Sequence, residues 1–323
     1  MKKELDLIIF IMSSGSNVRS DNLTDTIVSL AKNIGENVKY KYYMVVDLNV
    51  IPLIHYLFFG NQYRGILDKD LVLDIVTTEK EKSWANHYNI FFEKYNHLSE
   101  YILISHDDLE MKTSDFWNKT KKQIKGYEDQ IGWITYTSDF YYAIQGHPIP
   151  VTARCGFEDD RENWPYCYEC HNFTKEHWDG WSTKENLHLL DMPEENRLVK
   201  IHAPMSSLFA IKSENQKRIG YTFPNWTMYT MLVDEDCGMS MLINNLWNVW
   251  VPSVYYTHPL RIGYRKSGNK WEKEAHRGFE TKWKIHQKVT QKDIEYVKKI
   301  YGDTNLVWSI GRNTYDWDYL DKK

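Results

Sequence analysis

Residues 101–111 have the sequence YILISHDDLEM, an apolar run followed by a polar group. Residues 101–105 form a continuous apolar run, which is typical of a strand buried on both faces of a parallel sheet. The polar group His106-Asp107-Asp108 follows where that strand would end. Because open α/β sheets bind ligands at the carboxyl ends of their strands, these three residues are candidates for a binding site.

The residues on the N-terminal side repeat this pattern. Apolar runs alternate with stretches of helical periodicity, which predicts βαβ units and a mainly parallel, Rossmann-like sheet flanked by helices. For the first helix, Asp21 or Asn22 is the candidate N-cap. The predicted strands are Leu5–Met12, 42–46 and Leu71–Val76, and the predicted helices are 22–34 and 82–96.

The second half of the chain is less regular. Residues 140–200 are rich in Trp, His, Pro and charge and lack clean periodicity, which is typical of a functional insert. Regular pattern lies on both sides of this insert. It predicts strands at 132–137, 207–211 and 249–256, and helices at 239–246 and 291–301.

Composition excludes several classes of protein. The 323 residues carry 40 basic and 44 acidic side chains, so the basic excess of a general nucleic-acid binder is absent. Four cysteines do not make a disulfide framework. Residues 7–12 are too short for the apolar core of a signal peptide, and no apolar run reaches the roughly 18 residues of a membrane span. We therefore expect a cytoplasmic protein without a membrane span.

The pair Asp107-Asp108 offers two hard oxygen ligands at a strand end. Such ligands suit Mg²⁺ or Mn²⁺ carried on a diphosphate, because these ions take few protein ligands and bind phosphate oxygens. The alternative is that one carboxylate caps the next turn and the other is solvated.

Three carboxylates, Asp234-Glu235-Asp236, precede an apolar helical stretch. One of them is a candidate general base, with its pKa held up by its neighbours. Taken alone, the simpler explanation is a helix start, because acidic side chains complement the helix dipole there.

His258 follows the predicted strand 249–256, and three cations follow it. A histidine at a strand end can ligate a metal, and Arg261, Arg265 and Lys266 can hold a phosphate leaving group. A solvated basic loop beside a hydrogen-bonded surface histidine is the alternative.

The insert contains two further constellations. Cys155, Cys167, Cys170 and His171 could form a structural zinc site, although free thiols explain them as well. Trp164, Trp178 and Trp181 offer flat faces for a sugar acceptor, and ordinary packing is the competing explanation.

Taken in order, these motifs resemble those of the inverting family-2 glycosyltransferases, which have the GT-A fold. The resemblance covers residues 5–120 and 205–285, including FETKW at 279–283. Residues 84–89, WANHYN, are similar to the family's A-x-N-x-G pattern, with His87 and Asn89 in the Asn and Gly places. His106-Asp107-Asp108 matches the family's D-x-D motif, with His106 replacing the first Asp.

The resemblance implies a role for each matched residue. Asp108, His258 and His106 would form the metal site, and Asp236, or else Glu235, would be the catalytic base. The donor would be bound by Ser13, Ser14, Arg19, Asp47, His87, Asp107, Arg261, Arg265 and Lys266.

The implied activity is transfer of a hexose from a nucleotide sugar to a carbohydrate acceptor, and a UDP-sugar is the favoured donor. The reaction would use Mn²⁺ or Mg²⁺ and would invert the anomeric configuration. Residues 1–120 would bind the donor, 121–260 the acceptor, and the basic segment 261–323 would close over the site. The alternatives are a retaining transferase on the same fold, a sugar-1-phosphate nucleotidyltransferase, or a non-catalytic carbohydrate-binding protein.

Overall fold

A computed structural model describes residues 3–12, 20–47, 71–76, 84–138, 193–204, 207–220, 223–224, 233–258, 277–284, 291–311 and 318–321. Its strands are β1 (Leu5–Met12), β2 (Tyr40–Asp47), β3 (Leu71–Val76), β4 (Ser99–His106), β5 (Glu110–Met111), β6 (Ile131–Ser138), β7 (Val199–Ile201), β8 (Leu208–Lys212) and β9 (Trp247–Thr257). Its helices are α1 (Ser20–Asn33), α2 (Trp84–Tyr95), α3 (Phe116–Ile124), α4 (Ser213–Ile219), α5 (Val233–Leu242), α6 (277–283), α7 (Gln291–Tyr301) and α8 (Asn305–Gly311).

The described strands form one sheet in the order β3-β2-β1-β4-β8-β6-β9-β5, and β7 pairs with β9. Strands β1 to β4, β6 and β9 run in one direction, whereas β5, β7 and β8 run in the other. The sheet is therefore mostly parallel, and the predicted α/β class is confirmed.

Helices cover both faces of the sheet. Alternate side chains of a strand point to opposite faces, so β1 contributes to two apolar clusters. Leu7, Ile9 and Ile11 pack in a cluster with α1 and α3. Ile8, Phe10 and Met12 pack in a cluster with α2 and α5. Burial on both faces explains why β1 is apolar at every position from Leu7 to Met12.

The C-terminal helices pack against α5. Their shared apolar cluster joins Met239 and Leu242 of α5 to α6, α7 and α8, through Phe279, Trp283, Val297, Leu306 and Ile310. This packing places α6 beside the acidic first turn of α5. None of the helices described here has the length and apolar character that a bilayer crossing requires.

The helix predicted at 239–246 was misplaced. In the structure α5 begins at Val233, so Asp234, Glu235 and Asp236 form its first turn, where carboxylates complement the helix dipole. The helix ends before Asn245, which has a positive φ of 56°. The N-cap predicted for α1 was also wrong, because α1 begins at Ser20.

Candidate active site

Two strands that are not neighbours deliver the polar residues of the site. His106 ends β4 and is followed by Asp107 and Asp108, while His258 directly follows the end of β9. Strands β8 and β6 lie between β4 and β9. The short strand β5 starts two residues after Asp108 and pairs with the end of β9. The chain therefore crosses the carboxyl end of the sheet and carries Asp108 to His258.

The three side chains His106, Asp108 and His258 converge. His258 Nε2 lies 2.9 Å from Asp108 Oδ1, and His106 Nδ1 lies 3.8 Å from the same oxygen. The two imidazole rings are edge to face, with their centroids 5.3 Å apart. One ligand atom from each residue lies within 4.8 Å of the others, which is close enough to share one ion.

The chemistry of this donor set fits a divalent transition metal. Two imidazole nitrogens beside one carboxylate oxygen favour a first-row transition metal, Mn²⁺ among them, over Mg²⁺, which prefers oxygen ligands. The side chains are 18% (His106), 10% (Asp108) and 8% (His258) exposed, so an ion held here would be largely shielded from solvent. In the part of the chain that the structure describes, this is the group of His, Cys, Asp and Glu side chains arranged to hold a metal.

Backbone contacts fix the histidine side of the cluster. The His106 N–H donates to the Ser207 carbonyl over 2.9 Å, and the Ser105 hydroxyl donates to the His106 carbonyl over 2.8 Å. The Ser207 hydroxyl in turn lies 2.6 Å from the Tyr256 hydroxyl of β9. The bonds made by Ser207 join the end of β4 to β9 beside the candidate metal ligands.

Asp236, in the first turn of α5, is held by α6. The Trp283 indole N–H donates to Asp236 Oδ1 over 2.8 Å. Lys282 Nζ lies 2.7 Å from Oδ1 and 2.9 Å from Oδ2. The Asp236 side chain is fully buried, whereas the Lys282 side chain is 36% exposed. Asp236 is therefore a fixed carboxylate with its own cation.

Glu235, one residue earlier, has a different environment. It is half-buried, and burial raises its pKa to about 7. A hydrogen bond with its own backbone opposes this increase, and the negative charge of Asp236 adds to it. A carboxylate with a pKa near neutrality is suited to accept a proton at physiological pH.

The start of α5 packs against one face of the sheet. Cys237 packs in one cluster with Met12, the residue of β1 that pairs with His106. The indole N–H of Trp133 donates to the Cys237 carbonyl over 3.2 Å. The start of α5 thus packs on the face of the sheet to which Met12 and Trp133 contribute.

The remaining predicted donor residues are only partly described. His87 on α2 is buried, and so is Asp107. Asp47 ends β2, but its side chain lies outside the described residues. Asn89 of the WANHYN stretch exchanges two hydrogen bonds with the backbone of Phe223, each 2.8 Å long. Asn89 therefore fixes a chain segment that is 134 residues away in sequence.

Many predicted residues fall outside the described part of the chain. They are the donor candidates Ser13, Ser14, Arg19, Arg261, Arg265 and Lys266, the acceptor candidates Trp164, Trp178 and Trp181, and the zinc candidates Cys155, Cys167, Cys170 and His171. Their assignments stay predictions.

The pairing of Lys282 and Trp283 with Asp236 was not predicted from the sequence. Lys282 and Trp283 lie 46 and 47 positions after Asp236, and no periodicity connects them with it. The available signal was the FETKW segment, which the resemblance singled out without a role for its side chains.

No protein-family model and no curated protein sequence matches this chain. Solved structures do match its fold. The crystal structure of GalNAc-T7 with UDP, GalNAc and Mn²⁺ is 12% identical with a TM-score of 0.57, and the match covers 95% of this chain and 56% of that one. The mannosyltransferase PcManGT from Pyrobaculum calidifontis, in complex with GDP-Man and Mn²⁺, is 10% identical with a TM-score of 0.51, covering 95% of this chain and 72% of that one.

The chain thus spans little more than half the length of the GalNAc-T7 chain, and at these identities the likeness concerns the fold. The mostly parallel sheet and the helices on both of its faces agree with it. This chain has the GT-A glycosyltransferase fold.

Proposed function

We propose that the protein is a metal-dependent glycosyltransferase that moves a hexose from a nucleotide sugar to a carbohydrate acceptor. A UDP-sugar is the favoured donor. One observation carries the proposal: His106, Asp108 and His258 converge at the carboxyl end of a GT-A sheet. The similar structures support it, since one holds UDP and Mn²⁺ and the other GDP-Man and Mn²⁺.

His106, Asp108 and His258 would hold the ion. A divalent cation bound there neutralises the negative charge that develops on the departing diphosphate. Arg261, Arg265 and Lys266 follow His258 in sequence and would contribute positive charge to the same group. Asp107 lies between His106 and Asp108 in sequence, and its side chain is buried. It would contact the donor.

The rest of the donor would be bound by Ser13, Ser14 and Arg19 after β1, by Asp47 at the end of β2 and by His87 on α2. The acceptor would lie against Trp164, Trp178 and Trp181. These assignments follow the order of the motifs along the chain, with the donor half in residues 1–120 and the acceptor half in 121–260.

The chemical step would be a single displacement. The acceptor hydroxyl oxygen forms a bond to the anomeric carbon while the bond from that carbon to the diphosphate oxygen breaks, so the configuration inverts. The hydroxyl proton goes to a carboxylate of α5.

Two carboxylates compete for the role of proton acceptor. Asp236 already receives hydrogen bonds from Trp283 and Lys282, so it could take the proton only after Lys282 moves away. Glu235 needs no such movement, and its pKa of about 7 is matched to the task. We therefore place Glu235 ahead of Asp236, reversing the order that the sequence motif favours.

A donor screen tests the proposal. UDP-, GDP-, dTDP- and CMP-sugars are incubated with the protein and Mn²⁺ or Mg²⁺, with and without EDTA, and nucleotide release is measured. We expect metal-dependent release from one donor class. Asp108→Asn should abolish it, whereas Asp129→Asn, whose side chain is 86% exposed, should leave it intact. Release that persists in EDTA and in Asp108→Asn contradicts the proposal.

The stereochemistry of the product distinguishes the rival transferase. NMR of the glycoside formed from an α-linked donor should show a β-linkage. An α-linked product identifies a retaining enzyme. Donor binding without any release, even with a panel of acceptors, identifies a carbohydrate-binding protein.

A further inference from the structure

Helix α1 carries three polar side chains on the face that meets the segment after Asp108. Thr26, Ser29 and Asn33 are spaced by three and four residues, so they lie on one side of the helix. We call them the α1 polar stripe. All three bond to the backbone of residues 109–111, which directly follow the metal-binding aspartate.

Thr26 makes the tightest of these contacts. Its hydroxyl donates to the Leu109 carbonyl over 2.7 Å and accepts from the Leu109 N–H over 3.0 Å. Thr26 is fully buried and Leu109 is 2% exposed, so water has no access to replace these bonds. One hydroxyl thus fixes both backbone polar groups of the residue next to Asp108.

The other two members hold the next part of the segment. The Ser29 hydroxyl accepts from the Met111 N–H over 3.1 Å, and the Asn33 amide donates to the Met111 carbonyl over 3.1 Å. Ser29 also donates to the Thr26 carbonyl, and Asn33 to the Ser29 carbonyl, which ties the stripe together along the helix.

The same segment supports the second side of the metal cluster. Glu110 pairs with Thr257 and Met111 with Tyr256, at the end of β9. His258 is the next residue after Thr257. The backbone segment that α1 holds therefore follows Asp108 directly in sequence. It also pairs with the end of β9, next to His258.

We infer that Thr26 is a positioning residue for the metal site. By fixing Leu109, it sets the location of Asp108 relative to His258, although it contacts neither side chain in any bond described above. The inference rests on the proposed function of His106, Asp108 and His258 as metal ligands. It goes beyond that function because it assigns a role to a helix that supplies no ligand.

The test compares Mn²⁺ affinity across matched variants, with free Mn²⁺ measured by EPR and stability by urea unfolding. Thr26→Val keeps the shape of the side chain and removes the hydroxyl, and we expect about 10-fold weaker Mn²⁺ binding, the lower range for loss of an outer-shell partner. Thr26→Ser keeps the hydroxyl and should bind Mn²⁺ as the wild type does. Thr120→Val removes another fully buried threonine hydroxyl, which donates to Phe116 within α3, and should leave Mn²⁺ affinity unchanged.

The outcomes separate the inference from the proposal beneath it. Wild-type affinity in a folded Thr26→Val variant overturns the positioning role while the metal site stands. A wild-type protein that binds no Mn²⁺ overturns the metal site and the positioning role together. If Thr26→Val does not fold, Ser29→Ala gives the second measurement: it removes the acceptor of the Met111 N–H, and it should weaken Mn²⁺ binding by a smaller factor. Unchanged affinity in Ser29→Ala then counts against the inference.

Discussion

Replacing Glu235 by glutamine should make the protein more stable and less active, and the gain in stability should depend on pH. Burial raises the pKa of Glu235 from 4.5 to about 7, so the folded protein holds a proton that the unfolded chain has released. Stability falls with pH wherever the folded state binds more protons than the unfolded state. The stability cost of Glu235 therefore develops as pH rises from 4.5 to about 7.

The size of this cost follows from the same two values. One pH unit corresponds to about 1.4 kcal/mol, so the interval from 4.5 to about 7 amounts to about 3 kcal/mol at most. Glutamine has nearly the same shape as protonated glutamate and carries no charge at any pH. We expect Glu235→Gln to equal the wild type in stability below pH 4.5 and to exceed it by up to about 3 kcal/mol at pH 8.

Urea unfolding at pH 5, 6, 7 and 8, followed by tryptophan fluorescence, measures this difference. Glu93→Gln, at an exposed position of α2, controls for the loss of a glutamate elsewhere. A difference between Glu235→Gln and the wild type that stays constant from pH 5 to 8 refutes the assignment of a raised pKa to Glu235.

The same variant tests the role in turnover. Removing a general base lowers turnover by roughly 10²–10⁴-fold, and we expect a loss of this size at pH 8, where Glu235 of the wild type is ionised, and a smaller loss at pH 5, where it is protonated. Turnover within a few-fold of the wild type assigns the proton to Asp236 instead. A variant that gains stability and loses turnover is expected where an active-site residue destabilises the fold, which is the known trade-off between stability and activity.

Three further predictions concern the neighbouring groups. Trp283→Phe removes a hydrogen bond to the buried Asp236 carboxylate and should cost about 2–3 kcal/mol in urea unfolding. Trp133→Phe loses a bond to the neutral Cys237 carbonyl and should cost about 1 kcal/mol less. Equal costs would contradict a stronger bond from Trp283 to Asp236. Isothermal titration should show Mn²⁺ binding more tightly than Mg²⁺, because two of the three ligands are imidazoles, and equal affinities would count against this donor set. His258→Ala should weaken Mn²⁺ binding by at least about 10-fold, and unchanged binding would remove His258 from the site.

The sequence predicted the parts of the fold that apolar periodicity specifies. β1 and β3 have the predicted bounds because buried parallel strands are apolar at successive positions. β5 and β7, with two and three residues, are too short to give any pattern. The start of α5 was missed because its first turn is acidic, so apolar spacing begins only at Cys237.

The individual residues of the candidate site could be predicted from the sequence, but the way in which the sheet brings them together could not. His106, Asp108 and His258 were found because each follows a predicted strand. That β4 and β9 have two strands between them, and that β5 nonetheless joins their ends, depends on pairing across the whole sheet. Thr26 gave no signal, because a threonine inside an amphipathic helix is ordinary, and its importance comes from a contact 83 residues away.

Asp236 and Glu235 are adjacent in sequence, yet their surroundings differ. Asp236 is fully buried with Lys282 and Trp283 as partners, so it serves as a fixed group that joins α5 to α6. Its charge is also one of the causes that raise the pKa of Glu235. Different surroundings for two neighbouring carboxylates are typical of the acid and base groups of active sites. Under the proposed function, α6 would contribute to the chemistry through Asp236, because the carboxylate that Trp283 and Lys282 hold beside Glu235 helps to raise the pKa of Glu235 toward a value that suits a proton acceptor.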